Sequence, residues 1–282
     1  MQNWNVKELL DTFVECAAIA RKIKETPAVE VKDDLTPVTN ADRGIELFLT
    51  GKFGFDSILG EETCQDHDHD RLMNSLLHDK MWIVDPIDGT ANFINRRPIW
   101  GISIGYAENG VIREGGVYTP ELGEIMFSDN GKTWFASLGR SYPTRREMEE
   151  AVRPIKNPNR PFNGTSCINL SQLMTRKGIF TGVNPVISIG SCVCSGIDLA
   201  AGRDAVYITS AKLWDLAGIL PCLKNLSFVS RNRSGRDLLS CRISSVLYQL
   251  ENGAEKPFAL REPNWIGTSL NAVETIIPLC SL

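Results

Sequence analysis

The stretch WIVDPIDGTANF, residues 82–93, constrains the fold more than any other part of the sequence. Its apolar start, WIV, predicts a short buried strand, and Pro86 predicts that regular strand pairing stops there. Two aspartates, Asp85 and Asp88, lie where this strand ends. Carboxylates so close together at the edge of a buried sheet repel each other, and a divalent cation between them is the usual solution.

The residues after Asp88 predict an anion-binding turn. Gly89 permits a close backbone approach, and Thr90 to Asn92 are predicted to begin a helix whose free N–H groups face an anion. The sequence offers no Ser–His pair and no candidate for an active-site cysteine. A phosphate-binding turn beside metal ligands therefore indicates metal-assisted hydrolysis by water.

Three further acidic spots share this setting. GEE at 60–62 and LWD at 213–215 place carboxylates where an apolar element meets a turn, and Asp42 lies near the start of a predicted helix. Taken singly, these are ordinary features: a solvated turn, a helix N-cap, an Asp-Pro turn. Together, as oxygen-only ligands without histidine, they favour Mg²⁺ or Mn²⁺ over zinc or copper, and their wide separation indicates more than one ion.

Length and charge narrow the class of protein. A chain of 282 residues has room for one large core or two ordinary domains, and 43% apolar and 23% charged residues are typical of an ordered globular protein. The net charge of -4 disfavours nucleic acid as the main ligand. The start MQNWNVKELL does not read as a leader, and no apolar run is long enough to span a bilayer, so we expect a cytoplasmic protein without a membrane partner.

The remaining candidate motifs favour ordinary structural roles. Cys192 and Cys194 lack the spacing of a zinc or redox site, and the eight cysteines are predicted to be buried free thiols. His67 and His69 in CQDHDHDR have no apolar frame and predict a solvated surface loop, and His78 predicts a surface helix position. GKFG at 51–54 lacks the rest of a phosphate-loop pattern.

The first half of the chain predicts two helices and an antiparallel sheet. An amphipathic helix is predicted from Trp4 to Ile23, closed by Pro27. A second helix follows an extended segment around Pro37, with an apolar face that includes Ile45, Leu47, Phe48 and Leu49. A strand is predicted at Ser57–Leu59, and the alternating residues 99–137, punctuated by ENG, EGG and DNG, predict a meander and a sheet of five or six strands.

A charged, proline-rich stretch from Arg145 to Pro161 predicts the domain boundary, dividing the chain into an N-terminal α+β metal-binding domain, 1–150, and a C-terminal α/β substrate-pocket domain, 151–282. Beyond it, residues 185–208 predict a strand, a small-residue turn, a helix and another strand. LWDLAG at 213–218 is predicted to begin a further helix.

Four blocks of residues resemble one known family in order and spacing: PVTNAD (37–42), GEE (60–62), DPIDGTANF (85–93) and LWDLAG (213–218). The chain resembles the inositol monophosphatase family of Mg²⁺-dependent, lithium-sensitive phosphomonoesterases over nearly its whole length. The resemblance implies an α/β (α+β) fold, a five-layer α/β/α/β/α sandwich with a mainly antiparallel N-terminal sheet and a smaller C-terminal α/β half. It also implies a homodimer that acts on a small phosphorylated metabolite.

The resemblance implies a role for individual residues. The implied metal ligands are Glu61, Asp85, the main-chain carbonyl of Ile87, and Asp88, with Asp215 joining Asp88 on a second ion and Glu62 near a third, weaker one. The implied catalytic residues are Asp42 and Thr90, which orient and deprotonate the attacking water, together with Glu61. The implied substrate-binding residues are Gly89 and Thr90 through their amides, Gly190 and Cys192 in SIGSCVCSG, Lys212 toward a second anionic group, and Asp215.

The substrate is the least defined part of this interpretation. Inositol-specific members have an acidic residue seven positions before the LWD aspartate, where this chain has Ile208, which argues against inositol. Histidinol phosphate, fructose 1,6-bisphosphate and 3′-phosphoadenosine 5′-phosphate are substrates of relatives and stay open. Lys32 lies roughly where relatives have a lysine near the metal site. A protein of the same fold that acts only by binding a partner is the alternative from another class, which the intact acidic set disfavours.

Overall fold

The computed structural model describes residues 3–32 and 37–282. Two parts of the sequence predictions lie outside the described residues: Met1 and Gln2 of the start MQNWNVKELL, and residues 33–36 of the extended segment before Pro37. The helices are α1 Val6–Ile23, α2 Asn40–Phe53, α3 His69–His78, α4 Thr90–Ile94, α5 Arg145–Ala151, α6 Gln172–Lys177, α7 Cys192–Ala200, α8 Leu213–Ala217, α9 Leu220–Asn225 and α10 Leu270–Ile276. Short 3₁₀ turns span Phe55–Ser57, Leu238–Ser240 and Ile277–Leu279.

The strands make two large sheets and two small ones. In chain order they are β1 Val29–Val31, β2 Pro37–Thr39, β3 Ile58–Gly60, β4 Lys80–Asp88, β5 Gly101–Glu108, β6 Val111–Thr119, β7 Glu124–Asp129, β8 Lys132–Ser137, β9 Arg153–Ile155, β10 Ile168–Leu170, β11 Ile179–Phe180, β12 Val186–Ile187, β13 Val206–Thr209, β14 Val229–Asn232, β15 Asn264–Gly267 and β16 Cys280–Ser281.

The larger sheet runs β3-β4-β5-β6-β7-β8-β9 and is antiparallel apart from the parallel pair β3 and β4. Its meander is confirmed, and Asn109-Gly110 and Asn130-Gly131 both have the positive φ values that two-residue hairpins need. The predicted count of five or six strands is wrong. The sheet has seven, because β3 adds at one edge and β9 returns after α5 to pair with β8 at the other.

The prediction for Pro86 is correct in part: regular pairing is interrupted at this residue, but the strand does not end there. β4 continues through Pro86 to Asp88, and its pairing with β5 shifts between Asp85 and Asp88. The shift absorbs the residue that has no N–H to donate, as at a β-bulge. The strand therefore delivers both aspartates in one rigid element instead of leaving the second in a loop.

The two N-terminal helices cover one face of the seven-stranded sheet. α1 begins at Val6, two residues later than predicted, because the Asn5 side chain accepts a hydrogen bond from the Glu8 backbone N–H and caps the helix. α2 begins next to β2, the predicted extended segment at Pro37. Its apolar face includes buried Ile45, but Leu47 is 74% exposed, so that part of the prediction is wrong.

Buried side chains form three clusters between the five layers of the fold, and one of these clusters packs against both faces of the middle layer. The first lies between α1, α2 and the seven-stranded sheet, and the second between that sheet, the helices α7 to α9 and the five-stranded sheet β12-β10-β13-β15-β14. The third lies between the five-stranded sheet and the helices α6 and α10. The predicted α/β/α/β/α order is confirmed, with the helices α7 to α9 as its middle layer.

The predicted division of the chain at residues 150 and 151 stays a prediction. The strand β9, just beyond it, belongs to the seven-stranded sheet. Among residues 3–32 and 37–282, no helix combines the length and apolar character needed to cross a membrane.

The cysteines and histidines have structural environments. All eight cysteines are free, five of them buried and three half-buried. His78 is exposed at the end of α3, as predicted. The prediction of a solvated loop around His67 and His69 is wrong in detail, because both side chains are half-buried. The His67 ring stacks on the Phe55 ring with their centres 4.2 Å apart, and His69 is the first residue of α3.

Candidate metal centre and active site

Carboxylates from three distant segments meet beside the end of β4. Glu61 follows β3, Asp85 lies in β4, and Asp215 lies in α8. One oxygen atom from each of these three side chains lies within 4.8 Å of the other two. The parallel pairing of β3 with β4 brings the first two together, and α8 packs the third against β4. Within the described residues this is the one cluster of acidic, histidine or cysteine side chains with metal-binding geometry.

The loop that carries Glu61 is held by a buried carboxylate. Glu46 in α2 accepts hydrogen bonds from the backbone N–H groups of Glu62 at 2.9 Å and Thr63 at 2.7 Å. A Cβ atom on Gly60 would lie 2.1 Å from Glu46 Oε1. Gly60 is therefore the residue that allows α2 to approach the end of β3 closely enough to position Glu61.

Burial and mutual repulsion make these acids hard to ionise. Burial, followed by the charges of Glu61 and Asp215, raises the pKa of Asp85 well above its ordinary value. Burial and the charge of Asp88 raise the pKa of Asp215 to about 7. Burial and Glu61 raise the pKa of Glu62 to about 7. Such a cluster of carboxylates binds a cation readily, because the cation removes the repulsion between them that protonation otherwise relieves.

Lysines contact the cluster from the cleft side. Lys32 Nζ lies 2.6 Å from Glu62 Oε1 and 3.3 Å from Glu61 Oε1, and Lys212 Nζ lies 3.9 Å from Glu61 Oε1. The donors that face one another are carboxylate oxygens only, which fits a hard divalent cation such as Mg²⁺.

Asp88 lies next to this cluster but points to a different partner. Its carboxylate accepts a short hydrogen bond from the Ser191 hydroxyl and bonds from the backbone N–H groups of Cys192 at 3.0 Å and Val193 at 2.7 Å. These donors are at the N-terminus of α7, where a negative charge is stabilised. Burial nevertheless raises the pKa of Asp88 to about 6. Its predicted role as a shared ligand with Asp215 stays a prediction.

Asp42 and Thr90 lie close together, and their implied catalytic role stays a prediction. The Thr90 hydroxyl lies 3.3 Å from Asp42 Oδ1 and 3.0 Å from the Ile87 carbonyl oxygen. Asp42 is fixed by a capping box, in which the backbone N–H of Thr39 donates to its Oδ2 atom at 2.8 Å. Burial raises the pKa of Asp42 to about 6. The arrangement joins a buried carboxyl group, a hydroxyl and the end of β4.

The turn after Asp88 lies against the start of α7. Gly89 has φ +90°, and a Cβ atom there would lie 3.2 Å from the Ile99 carbonyl oxygen and from Ser191 Cβ. α4 begins at Thr90, as predicted. The Asn92 amide donates to the carbonyl oxygens of Ile99 at 2.8 Å and Ile189 at 2.9 Å. Asn92 thus ties the turn to the 189–191 loop.

A cavity of about 200 Å³ opens beside Asp88 and Asp215. Its lining includes Gly190 and Cys192, whose role in substrate binding stays a prediction. It also includes a set of uncharged polar side chains: Ser171, Gln172, Ser191, Ser195, Tyr207, Thr209 and Ser210. In the described parts of the chain, Asp88 and Asp215 are the charged residues that border it. The Ser210 hydroxyl is buried without a hydrogen-bond partner among those residues.

Ile208 does not line this cavity. It packs in the third cluster, on the opposite face of β13 from Tyr207, which is in the second cluster and contributes to the cavity wall. Side chains alternate along a strand, so its neighbours Tyr207 and Thr209 both face the cavity. The side chain at position 208 therefore faces away from the cavity, and the expectation that it disfavours inositol stays a prediction.

A second, larger cleft of about 790 Å³ borders Glu61 and Glu62. Four cations line it: Lys32, Arg43, Lys212 and Lys256. Lys32 and Lys212 contact the acidic cluster, and Arg43 pairs with Glu30 at the rim. Three acids, Glu61, Glu62 and Glu255, line the same cleft, so its described lining carries both signs of charge, with one more cation than anions.

Three residues that support the site were missed by sequence reasoning. Glu46 and Asn92 act through contacts with loops distant in sequence, and no local pattern identifies them. Ser191 carries a signal that was available, because a serine directly before a predicted helix is a common N-cap.

Comparisons with known proteins agree with this geometry. The family model described as the inositol monophosphatase family matches residues 6–244. The histidinol-phosphatase of Mycobacterium tuberculosis is 30% identical over 213 residues, covering 74% of this chain and 76% of that protein. The inositol-1-monophosphatase of Bacillus subtilis is 30% identical over 231 residues, covering 77% and 82%.

Solved structures share the fold. The Thermotoga maritima IMPase superimposes with a TM-score of 0.68 at 20% identity over 97% of both chains. The SuhB protein of Mycobacterium tuberculosis gives 0.61 at 18% identity over 95% of both chains. The family model spans most of the chain and includes every block that forms the acidic site. The chain belongs to the inositol monophosphatase family of phosphoric monoester hydrolases.

Proposed function

We propose that this phosphatase hydrolyses the phosphate monoester of a small, uncharged polyol in a Mg²⁺-dependent reaction. The observation that supports it best is the position of the three-carboxylate cluster between two spaces of different character. One is the cation-lined cleft, and the other is the small cavity walled by hydroxyl and amide groups. A polyol forms hydrogen bonds with such a wall, whereas a second charge would lose its hydration there.

The proposed metal site uses the side chains of Glu61, Asp85, Asp88 and Asp215 and the Ile87 carbonyl oxygen. Glu62 is proposed to hold a third, weaker ion, and Mn²⁺ is proposed to substitute for Mg²⁺. The oxygen-only donor set and the raised pKa values of Asp85 and Asp215 support these assignments. Mg²⁺, when bound, neutralises phosphoryl charge and makes water more acidic.

The chain's own groups are proposed to position and deprotonate the attacking water. Asp42 accepts the proton through the Thr90 hydroxyl, which lies between Asp42 Oδ1 and the Ile87 carbonyl oxygen. A base with a pKa of about 6 is largely ionised at neutral pH and still able to accept a proton in the transition state. The backbone amides of Gly89 and Thr90 bind the phosphoryl oxygens at the start of α4.

The small cavity is proposed to receive the alcohol part of the substrate. Gly190 and Cys192 form its wall, and the buried Ser210 hydroxyl is available to a substrate hydroxyl. The test compares kcat/KM for myo-inositol 1-phosphate, histidinol phosphate, fructose 1,6-bisphosphate and 3′-phosphoadenosine 5′-phosphate, with and without Mg²⁺. We expect kcat/KM for myo-inositol 1-phosphate to exceed that for the other three esters by about tenfold or more. A further charged group on those substrates would be buried in the cavity without a partner.

A bisphosphate is the second candidate. Lys212 and Lys256 in the larger cleft favour it, since each offers a cation to a second anionic group. A higher kcat/KM for fructose 1,6-bisphosphate, lost on Lys256→Gln, would replace the polyol assignment with this one. Activity absent on every ester with Mg²⁺ present would contradict both.

Lithium sensitivity is proposed on the basis of family membership. Asp88 and Asp215 border the small cavity together, and an ion held between them is the one that lithium is proposed to replace. Turnover that is unchanged at high lithium concentration would contradict this placement.

The chain is also proposed to be a cytoplasmic homodimer. Eight free cysteines are compatible with a reducing compartment. Exposed apolar residues concentrate in one segment around the edge strand β12: Ile179, Val183, Val186 and Ile187. Burying this segment against a second copy would remove apolar surface from water. Light scattering on the wild type and Val183→Glu tests it, and a monomer in both proteins contradicts it.

A further inference from the structure

A cavity of about 500 Å³ lies beside α1, and Glu61, Asp85 and Asp215 are not among its lining residues. Val14, Ala17 and Ala18 of α1 and Pro143 give it apolar walls, and the remaining walls are two tyrosines and two cations. None of the residues assigned above to metal, phosphate or substrate lines it. Its volume lies in the range of small-molecule sites, which are typically apolar with a few placed polar groups.

The cations at the mouth of this cavity have no ion-pair partner among the described residues. Arg21 and Lys22 lie in the last turn of α1 and are exposed, and neither takes part in an ion pair within residues 3–32 and 37–282. A neighbouring cavity of about 480 Å³ shares Arg21 with the first one. There Lys24 pairs with Glu121, and the Arg96 side chain donates to the backbone carbonyl oxygen of Glu25 at 3.0 Å. The described residues that line the two cavities include four cations, Arg21, Lys22, Lys24 and Arg96, against two carboxylates, Glu25 and Glu121, so positive charge is in excess.

Tyr142 holds one of these cations in place. The Arg21 guanidinium lies 4.9 Å from the centre of the Tyr142 ring, within the range of a cation–π contact. Tyr142 is fixed in turn, with φ +53°, its N–H donating to the Pro120 carbonyl oxygen at 2.6 Å and its hydroxyl donating to Glu121 at 3.3 Å. The cavity wall and its cation are thus preorganised before any ligand binds.

Tyr118 gives an independent indication of a ligand. Its ring lines the cavity and its side chain is 0% exposed, yet its hydroxyl has no hydrogen-bond partner among the described residues. A buried, unsatisfied hydroxyl costs free energy and needs an explanation in a native protein. A polar atom of a ligand in the cavity would supply the missing partner.

We propose that this cavity binds a small organic anion with an apolar or aromatic body, the body between α1 and the two tyrosines and the anionic group at Arg21. The site is separate from the hydrolytic centre and independent of which ester that centre hydrolyses. The ligand chemistry follows from the apolar wall, the unneutralised cations and the lone hydroxyl. A neutral molecule of the same shape leaves Arg21 without its partner.

The test uses naphthalene-2-carboxylate as probe and naphthalene-2-carboxamide as its neutral analogue. Calorimetric titration is done on the Mg²⁺-loaded protein in excess inorganic phosphate, which occupies the hydrolytic centre. We expect the carboxylate to bind about tenfold or more tightly than the carboxamide, and Arg21→Gln to remove that difference. Lys7→Gln, the same charge change at the exposed start of α1, should leave binding unchanged.

Two further variants separate the cavity from other surfaces. Ala18→Phe fills it and should abolish binding. Tyr118→Phe should weaken binding severalfold without lowering the melting temperature of the free protein, because it removes an unsatisfied hydroxyl. Equal binding of the two probes, or unchanged binding in Ala18→Phe, overturns the proposal. A changed molecular mass of Ala18→Phe in light scattering, with no carboxylate binding to the wild type, would identify a contact between two copies and overturn it as well.

Discussion

The Ser191 hydroxyl donates a short hydrogen bond to Asp88, and this contact joins the N-terminus of α7 to the second aspartate of the DPID motif. Ser191 also caps α7, because its side chain accepts a bond from the Cys194 backbone N–H at 3.1 Å. One side chain therefore begins the helix of the middle layer and orients a proposed metal ligand. Its two tasks can be separated by mutation.

Ser191→Ala is expected to reduce Mg²⁺ affinity or activity by about tenfold to a hundredfold, the usual cost of losing a group that orients a metal ligand. The control is Ser269→Ala, since Ser269 caps α10 in the same way but touches no proposed ligand. Both variants should lose about 1 kcal/mol of stability as helix caps. Ser191→Thr should restore the Mg²⁺ dependence. Equal Mg²⁺ half-saturation in both alanine variants would show that Ser191 acts only as a cap.

Asp85→Asn tests the central carboxylate. We expect roughly a thousandfold loss of kcat/KM, because the residue lies within the cluster proposed to hold the metal. The same change should raise the melting temperature of the metal-free protein, since it removes a carboxyl whose pKa burial and two acidic neighbours raise. Exposed Asp66→Asn provides the control for a lost charge. An Asp85→Asn protein that is less stable without metal would contradict the repulsion argument.

The sequence predicted the parts of this site that local patterns encode. Asp85 and Asp88 stand at the end of an apolar run, and the residues after them read as a glycine turn and a helix start. The hairpin turns at Asn109-Gly110 and Asn130-Gly131 could be predicted in the same way, because their backbone conformation is a property of the two residues themselves. These features needed no knowledge of what packs against them.

Other parts depend on partners that are distant in sequence. The passage of β4 through Pro86 is possible because β5 accommodates a register shift, and that is a property of the pair of strands. Which side of β13 faces the cavity beside Asp88 and Asp215 depends on how the five-stranded sheet packs between its two helical layers. For this reason the spacing argument about Ile208 identified a position but not its orientation.

Glycines 60 and 51 make a matched pair for the loop that carries Glu61. Gly60→Ala is expected to cost about 2 kcal/mol or more and to lower activity, because its Cβ would overlap the Glu46 carboxylate that holds the loop. Gly51 lies within α2, and a Cβ atom there meets nothing within 4 Å. Gly51→Ala should therefore stabilise the protein by about 0.5–1 kcal/mol. Denaturant unfolding measures both, and equal effects would remove the steric explanation.

The pH dependence of metal-free stability has a definite sign. Burial raises the pKa of Asp42 and Asp88 to about 6, and burial together with acidic neighbours raises that of Asp215 and Glu62 to about 7. An unfolded carboxyl titrates near pH 4, so between about pH 4 and 7 the folded state binds more protons than the unfolded one. The contribution of these groups to the free energy of unfolding is therefore present at low pH and lost as pH rises through 6 to 7.

Mg²⁺ should reverse this loss, because it binds the ionised carboxylates that repel one another without it. We expect the rise in melting temperature on adding Mg²⁺ to be clearly larger at about pH 8 than at about pH 5. Thermal unfolding in EDTA and in Mg²⁺ across that range measures it. Asp215→Asn isolates the cluster from other titrating groups, and its metal-free protein should lose less stability between those pH values than the wild type. A Mg²⁺ effect that is independent of pH, or larger in acid, would mean that protons and the ion do not compete for these oxygens.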